Sequence, residues 1–197
     1  MKKIVFATGN PHKLQELKAI SGDCGIDFIL PPDGFNPVED GKTFEENSLI
    51  KACEASRLSG LPALADDSGL CVDALDGKPG IYSARYAETQ HKKIDKLLKE
   101  LEYVAANKSE NRNAKFICSM SLVSADGEII YQTIGECKGQ IAKIQAGTNG
   151  FGYDPIFIPD GYNCTIAQLS DEEKNKISHR GKALRKMLNF LIQNENL

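Results

Sequence analysis

The hydrophobic residues near the N-terminus follow two different patterns. Residues 3–7 and 27–30 are short, largely apolar runs, and such runs predict buried strands. Between them a helix is predicted to begin at Pro11, because proline at the first helical position lacks only an N–H that would have no partner there. Three apolar side chains then recur at helical spacing: Leu14, Leu17 and Ile20.

A second helix is indicated by the residues at its ends. Thr43 is a typical N-cap, Glu46 follows three residues later as in a capping box, and Gly60 is expected to end the helix. Beyond it, residues 64–66 and 70–74 are predicted as two strands on either side of a polar turn.

The second half of the chain shows the same mixture. A helix is predicted over residues 94–101, and residues 115–124 and 129–137 predict a β-hairpin around Asp126 and Gly127, a pair typical of type I′ turns. The last helix is amphipathic, with apolar residues at helical spacing: Leu184, Met187, Leu188 and Leu191.

This order of elements predicts an α/β fold with an elongated, mixed, twisted sheet and flanking helices. The hairpin argues against a purely parallel sheet. A chain of 197 residues with 41% hydrophobic residues fits one domain over residues 1–197.

Composition narrows the class of protein. A net charge of −3 argues against a nucleic-acid binder, which usually has a basic surface. The six cysteines lack zinc-site spacing, so we expect reduced thiols. The apolar run near the N-terminus is too short for a secretion signal or a membrane span, so a cytoplasmic protein is expected.

Polar residues 8–13 lie between the first strand and the first helix. Gly9 would let backbone N–H groups approach an anion, the helix N-terminus adds its positive dipole end, and Lys13 can reach the same anion. The alternative is a simple tight turn with a surface lysine.

The second helix carries another candidate phosphate site. Asn47 and Lys51 lie on the same face of this helix and can bind one phosphate together. Glu39, in the loop before the helix, is a candidate metal ligand.

Two adjacent carboxylates, Asp66 and Asp67, lie among apolar residues. Such a pair suffers repulsion and desolvation unless a cation or hydrogen-bond donors satisfy it. Mg²⁺ suits a site of oxygen ligands and commonly shares substrate phosphates. A structural turn held by the Asp side chains is the alternative.

Two later segments are candidates for binding a base. Residues 150–155 combine glycines with two aromatic rings on which a base can stack, although packing of these rings in the core explains the pattern equally well. Ser178 is a candidate N-cap that places His179 and Arg180 in the first turn of the last helix, where cations are normally disfavoured. An acceptor-rich partner is therefore expected there.

Together these segments resemble one family, the inosine triphosphate pyrophosphatases, also called Ham1-like or RdgB-like non-canonical purine nucleotide pyrophosphatases. The matching stretches occur in family order along nearly the whole chain. They are residues 8–10 with Lys13 and Glu16, 46–47 with 51–52, 65–70, 80–87, 150–155 and 178–180.

The resemblance implies two lobes around a central nucleotide-binding cleft, a homodimer, and hydrolysis of purine triphosphates such as dITP, ITP, XTP and dXTP with Mg²⁺. Lys13, Lys51 and Asp67 are the predicted catalytic residues, and Glu39 and Asp67 the predicted metal ligands. The predicted substrate-binding residues are Thr8, Gly9, Asn10, Pro11, His12, Lys13, Asn47, Ser68, Phe151, Gly152, Tyr153, Asp154, Lys174, His179 and Arg180. Asp67 is either the proton acceptor for water or purely a metal ligand.

Three other interpretations fit the sequence less well. A Maf-like nucleotide pyrophosphatase would prefer pyrimidine or modified nucleotides, and the segments at 151–154 and 178–180 favour purines instead. A module that binds purine triphosphates without hydrolysis is disfavoured, because clustered carboxylates repel a triphosphate unless a metal is wanted. A Rossmann dehydrogenase lacks its Gly-x-Gly-x-x-Gly turn after the first strand.

Overall fold

The structure is a computed structural model that describes residues 2–107 and 110–194. Strands and helices alternate through most of the described chain. Their order is β1 (Lys2–Phe6), α1 (Pro11–Ser21), β2 (Ile26–Ile29), α2 (Phe44–Ser59), β3 (Ala63–Val72), α3 (Gln90–Asn107), β4 (Asn113–Val123), β5 (Ile129–Ile141), β6 (Phe157–Pro159), α4 (Asp171–Ile177) and α5 (His179–Gln193). Short 3₁₀ turns occupy Asp73–Leu75, Gly80–Arg85, Asp154–Ile156 and Ile166–Gln168.

The described strands form a six-stranded sheet in the order β2-β1-β3-β4-β5-β6. β1 pairs in parallel with β2 and with β3, whereas β5 and β6 are antiparallel. The predicted mixed α/β sheet with flanking helices is therefore confirmed. No helix of the described residues is long and apolar enough to cross a membrane.

By its internal contacts the chain divides into two compact units. Unit 1 contains Met1–Asp67, Cys118–Gly135 and Arg180–Leu197, and unit 2 contains Ser68–Ile117 and Glu136–His179. The single domain over residues 1–197 and the central cleft both stay predictions.

Unit 1 has apolar clusters on both faces of its strands, because successive side chains of a strand point to opposite faces. On one face Ile4 and Phe6 pack with Leu17 of α1 and with the apolar side of α5. On the other face Val5 and Ala7 pack with small residues of α2. These layers hold the C-terminal ends of β1 and the first half of β3 in place, and the polar segments follow directly from them.

Unit 2 has a cluster of its own. Leucines of α3, including Leu97 and Leu101, pack with Leu70 of β3 and with Phe116 and Phe157. The six cysteines are free thiols, as expected.

The predicted helix positions are confirmed. α1 begins at Pro11 with Asn10 as its N-cap, and α2 has Thr43 as N-cap and ends at Gly60 in the left-handed conformation. Leu184, Met187, Leu188 and Leu191 of α5 are all buried.

The prediction of two strands separated by a turn at residues 67–69 is wrong. β3 runs without a break from Ala63 to Val72, straight through both carboxylates. The segment does not need to turn out to solvent, because buried cations balance the charge of the two Asp side chains.

Two local predictions also need correction. In the β4–β5 hairpin only Gly127 has positive φ, whereas a type I′ turn needs two such residues, so the turn is of another type. In the α2 cap, Thr43 accepts the N–H of Glu46 as predicted, but the Glu46 carboxylate accepts from the N–H of Lys42 instead of the N-cap residue. The cap of α2 therefore extends one residue further into the preceding loop.

Candidate functional site

The segment between β1 and α1 is shaped by two side chains. Thr8 Oγ1 accepts the N–H of Asn10 at 3.1 Å, and Asn10 Oδ1 accepts the N–H of His12 at 3.0 Å. A Cβ on Gly9 would meet no protein atom within 4 Å. The protein itself therefore does not require glycine here, which leaves the space beside Gly9 available to a ligand. The side chain of Pro11 lies outside the described part of the chain.

Asp66 of β3 is the most buried carboxylate of this region, at 1% exposure. Its Oδ2 lies 2.9 Å from Lys13 Nζ and 3.2 Å from Arg180 Nε, and Arg180 also pairs with Glu16. Burial alone would raise the pKa of Asp66, but the charges of Lys13, Arg180 and Lys51 hold that pKa well below its usual value. Asp66 is therefore a permanent anion that holds α1 and α5 against β3.

Asp67, the next residue, has a different environment. Lys51 Nζ of α2 lies 3.2 Å from Asp67 Oδ1 and 3.2 Å from Glu39 Oε2. Burial raises the pKa of Asp67 above its usual value although Lys51 and Lys13 oppose it. Burial also acts to lower the pKa of Lys51, but the charges of Asp67, Asp66 and Glu39 outweigh it and raise that pKa. Lys51 thus remains charged between two carboxylates.

The second oxygen of Asp67, Oδ2, differs from the first in having no hydrogen-bond partner among the described residues, and it is buried. In the described parts of the chain, no three His, Cys, Asp or Glu side chains are grouped so that they could hold a metal ion. Mg²⁺ is often bound by only one or two carboxylates together with substrate phosphates. Glu39 and Asp67 fit such an open site, which the substrate itself would complete.

Asn47 is fully buried on α2, one turn before Lys51. Its Oδ1 accepts the N–H of Gly41 at 2.9 Å, so this end of the amide holds the loop that carries Glu39. Its contact with a phosphate stays a prediction.

In unit 2, Asp154 organises the segment that contains Phe151. Asp154 Oδ2 accepts the backbone N–H of Phe151 at 2.9 Å and lies 3.0 Å from Lys174 Nζ. Lys174 Nζ also lies 4.5 Å from the centre of the Phe151 ring. Gly150 has a φ of +74°, and a Cβ there would approach Asp154 Oδ2 to 2.1 Å, so glycine is required. The result is an ammonium group fixed above an aromatic face.

A second aromatic contact in unit 2 involves His179. The rings of Phe116 and His179 are stacked, with centroids 4.8 Å apart and planes 11° apart. His179 is the first residue of α5 and is buried. Because the stacking fixes the plane of the imidazole, it also fixes the directions in which the ring nitrogens point.

The structure separates the predicted site residues into two groups. Unit 1 contains Thr8 to Lys13, Glu39, Asn47, Lys51, Asp67 and Arg180. Unit 2 contains Ser68, Phe151 to Asp154, Lys174 and His179. Tyr153 is buried in the core and donates its hydroxyl to the Ser83 carbonyl, which is the packing alternative raised for this ring. Arg180 is 2% exposed and bound to Asp66 and Glu16. Contacts of Tyr153 and Arg180 with a base stay predictions.

Three further residues contact the predicted site residues: Glu16, Asp66 and Phe116. Asp66 was predicted only as half of a carboxylate pair that needs a cation, and Glu16 only as part of a stretch that matches the family. Phe116 was not predicted. Their contacts with Arg180 and His179 could not be found from the sequence, because these partners lie far away along the chain.

The sequence of this chain is similar to a known protein family and to individual proteins over nearly its full length. The model of the Ham1 family matches residues 4–190. A dITP/XTP pyrophosphatase of Shigella flexneri is 45% identical over 197 residues, covering 97% of this chain and 98% of that protein. A dITP/XTP pyrophosphatase of Synechocystis is 44% identical over 188 residues, covering 95% of this chain and 94% of that protein.

Solved structures agree. A HAM1 protein from Coxiella burnetii matches with a TM-score of 0.88 and 40% identity, covering 98% of this chain and 100% of that one. The Ham1 protein of Staphylococcus aureus matches with a TM-score of 0.86 and 39% identity, covering 99% of this chain and 100% of that one. The extent of these matches, together with the family model, places the chain in the Ham1 family.

Proposed function

We propose that this protein hydrolyses non-canonical purine nucleoside triphosphates, dITP, ITP, XTP and dXTP, to the monophosphate and pyrophosphate. Such an activity removes these nucleotides before they enter DNA or RNA. The observation that carries the proposal is the arrangement around β3, where Lys13 pairs with Asp66 and Lys51 pairs with Asp67. Asp67 Oδ2 is buried and has no hydrogen-bond partner among the described residues. Paired cations beside an incomplete metal site suit a polyphosphate that arrives with its metal.

The phosphate chain would be held by the segment from Thr8 to Lys13. The open space beside Gly9 lets phosphate oxygens approach the backbone at the start of α1, where the helix dipole favours negative charge. Lys13 and Lys51 add two ammonium groups that neutralise charge on the phosphates. Most catalysis in phosphoryl transfer comes from such positioning and neutralisation.

Glu39 and Asp67 would hold Mg²⁺ together with phosphate oxygens of the substrate. The bound ion would supply charge neutralisation at the phosphates and polarise the phosphorus that is attacked. Lys51, which contacts both carboxylates, holds them in place for this role.

Asp67 would also accept the proton of the attacking water. A carboxylate with its ordinary pKa near 3.9 is a weak base, and the raised pKa of Asp67 makes it a better one. The water attacks the α-phosphorus, its oxygen becomes part of the monophosphate, and pyrophosphate leaves. Removal of this acceptor costs about 10²–10⁴ in rate.

Base selection would rest on the residues of unit 2. The 6-oxo group of inosine or xanthosine is a hydrogen-bond acceptor, whereas adenosine has a 6-amino donor at the same place. Lys174 and His179 can donate hydrogen bonds to the 6-oxo acceptor but not to the 6-amino donor, and Phe151 offers a face for stacking. Sites of this kind reject mismatched analogues by roughly 10⁴–10⁵.

The proposal also covers the oligomeric state of the enzyme, its cell compartment and its partners. A homodimer in the cytoplasm, without a nucleic-acid or membrane partner, fits the family resemblance and the acidic composition. Sedimentation analysis of the purified protein tests the dimer directly.

The deciding experiment measures pyrophosphate release with Mg²⁺ from dITP, XTP, dGTP, dATP and dUTP, with Asp67→Asn in parallel. Turnover of dITP and XTP roughly a hundredfold or more above the others, lost in the variant, is expected. Preference for dUTP would contradict the base assignment and favour a Maf-like specificity. Tight nucleotide binding without release from any substrate would replace the enzyme with a binding module.

A further inference from the structure

The loop that carries Glu39 is fastened to the start of α2 by two side chains of that helix. Asn47 Oδ1 accepts the N–H of Gly41 at 2.9 Å. Glu46 Oε2 accepts the N–H of Lys42 at 2.5 Å. Consecutive backbone groups of the loop are therefore bound to consecutive residues of the helix.

The backbone at Gly41 also lies too close to α2 for any side chain. A Cβ there would lie 2.7 Å from Asn47 Oδ1 and 2.8 Å from Glu46 Cβ, and real Cβ atoms do not approach other atoms so closely. The φ angle of Gly41 is not in the left-handed region, so the glycine is needed for space and not for backbone conformation. Glycine lets the loop lie directly against the helix.

Asn47 is a polar residue at a fully buried position. Its Nδ2 has no hydrogen-bond partner among the described residues. Burying an unpaired donor destabilises a protein, and an apolar residue would avoid that cost. The hydrogen bond that Asn47 does make is to the loop two residues beyond Glu39.

Glu39 is held a second time by the same helix. Lys51 lies one turn beyond Asn47 and contacts Glu39 Oε2 at 3.2 Å. Asn47 fixes the backbone of the loop and Lys51 fixes the end of the side chain. Because Glu39 is itself half-buried in a loop without helical or strand structure, these two contacts determine where its carboxylate lies.

We propose that Asn47 is a positioning residue for the metal ligand Glu39 and acts through the N–H of Gly41. The proposal rests on the metal role of Glu39 in the proposed function. Asn47 does not touch the metal; it presents Glu39 towards Asp67 so that a divalent ion finds both carboxylates already placed. Replacing a residue that orients a metal ligand without binding the metal itself typically weakens metal affinity 10–100-fold.

The test measures Mn²⁺ binding by electron paramagnetic resonance, with saturating α,β-imido-ITP so that no turnover occurs. Asn47→Ala and Gly41→Ala are each expected to raise the Mn²⁺ Kd about 10–100-fold. Gly41→Ala keeps Asn47 but pushes the loop away from it, so the hydrogen bond from the Gly41 N–H to Asn47 Oδ1 is lost. This variant can therefore be used for the test if Asn47→Ala fails to fold. Glu39→Gln serves as the reference for loss of the ligand itself.

Thr43→Ala is the matched control. It removes the N-cap of the same helix and lowers thermal stability, but it leaves the Gly41–Asn47 hydrogen bond intact. Wild-type Mn²⁺ affinity in Thr43→Ala, with weakened affinity in the other two variants, supports the proposal. An equal weakening in Thr43→Ala would overturn it as a general effect of destabilising α2.

The remaining outcomes separate this inference from the function on which it rests. Unchanged affinity in Asn47→Ala and Gly41→Ala, with affinity lost in Glu39→Gln, overturns the positioning role and leaves the metal site standing. Unchanged affinity in Glu39→Gln overturns the metal role of Glu39 and the positioning role with it.

Discussion

The polar clusters of the two units are built on opposite principles. In unit 1, adjacent carboxylates of one strand are surrounded by three cations, Lys13, Lys51 and Arg180. In unit 2, one buried ion pair, Asp154 with Lys174, is combined with aromatic faces. The first cluster concentrates charge and the second fixes orientation.

This difference matches the two parts of a nucleotide. A triphosphate and its metal are recognised by charge, and charge acts strongly where water is excluded. A base is recognised by the direction of its hydrogen bonds and by stacking, which require rigid planes.

A second contrast lies within unit 1, between its two adjacent carboxylates. The cations around Asp66 lower the pKa of Asp66, while burial raises the pKa of its neighbour Asp67. Asp66 Oδ2 is held by cations, whereas Asp67 Oδ2 has no hydrogen-bond partner among the described residues.

The largest effect that would test this contrast is expected from Asp66→Asn. The substitution removes the anion that Arg180 and Lys13 share and leaves a buried guanidinium with Glu16 as its carboxylate partner. Breaking a buried ion pair in this way costs about 3–5 kcal/mol of folding free energy. Urea denaturation followed by circular dichroism measures it.

Glu172→Gln is the control for this measurement, since it removes an ion pair with Lys176 on the exposed surface of α4. Its denaturation midpoint should equal that of the wild type, because exposed pairs are weak. A midpoint for Asp66→Asn that is also unchanged would contradict the structural role of Asp66.

A smaller effect is expected from Phe151→Ala in unit 2. Stacking of a base on an aromatic ring contributes about 1–3 kcal/mol, which corresponds to roughly a 5- to 150-fold rise in KM for dITP. Since stacking is made equally in the ground state and the transition state, kcat should change little. Phe151→Leu, which keeps an apolar side chain of similar bulk, separates stacking from simple filling of space. A fall in kcat with unchanged KM would argue that Phe151 acts on the phosphates instead.

Local signals in the sequence predicted much of this molecule. Caps and helical spacing placed α1, α2 and α5. Lys13 was predicted to reach a bound anion, and its ion pair with Asp66 was not predicted. Lys51, Glu39 and Asp67 were each selected from local patterns, and the structure brings the three into contact.

Contacts between residues far apart in the sequence could not be predicted in this way. Polar residues at 67–69 indicated a turn, yet β3 continues through them because Arg180, from the other end of the chain, balances Asp66. No periodicity encodes such a pairing. Asn47 shows the same limit at short range, because its helical spacing from Lys51 gave no sign that Gly41 would approach it.

The smallest effect, and the finest test of orientation in unit 2, is expected from Phe116→Leu. The imidazole of His179 lies flat against this ring, and an aromatic pair of this kind contributes about 0.5–1.5 kcal/mol beyond its buried area. Without the ring the imidazole loses this stacking contact, so KM for dITP should rise about 2- to 12-fold while kcat is kept. The proton resonances of His179 should also shift, because the ring current of Phe116 is lost.

Phe157→Leu provides the comparison for that measurement. Phe157 packs against Phe116 with ring centroids 4.7 Å apart and lies in the same apolar cluster, whereas Phe116 is the ring that stacks on His179. A similar loss of stability is therefore expected from both variants, with the change in KM and in the His179 resonances confined to Phe116→Leu. Equal changes in both variants would mean that the cluster supports unit 2 as a whole, and that the plane of His179 is set by other contacts.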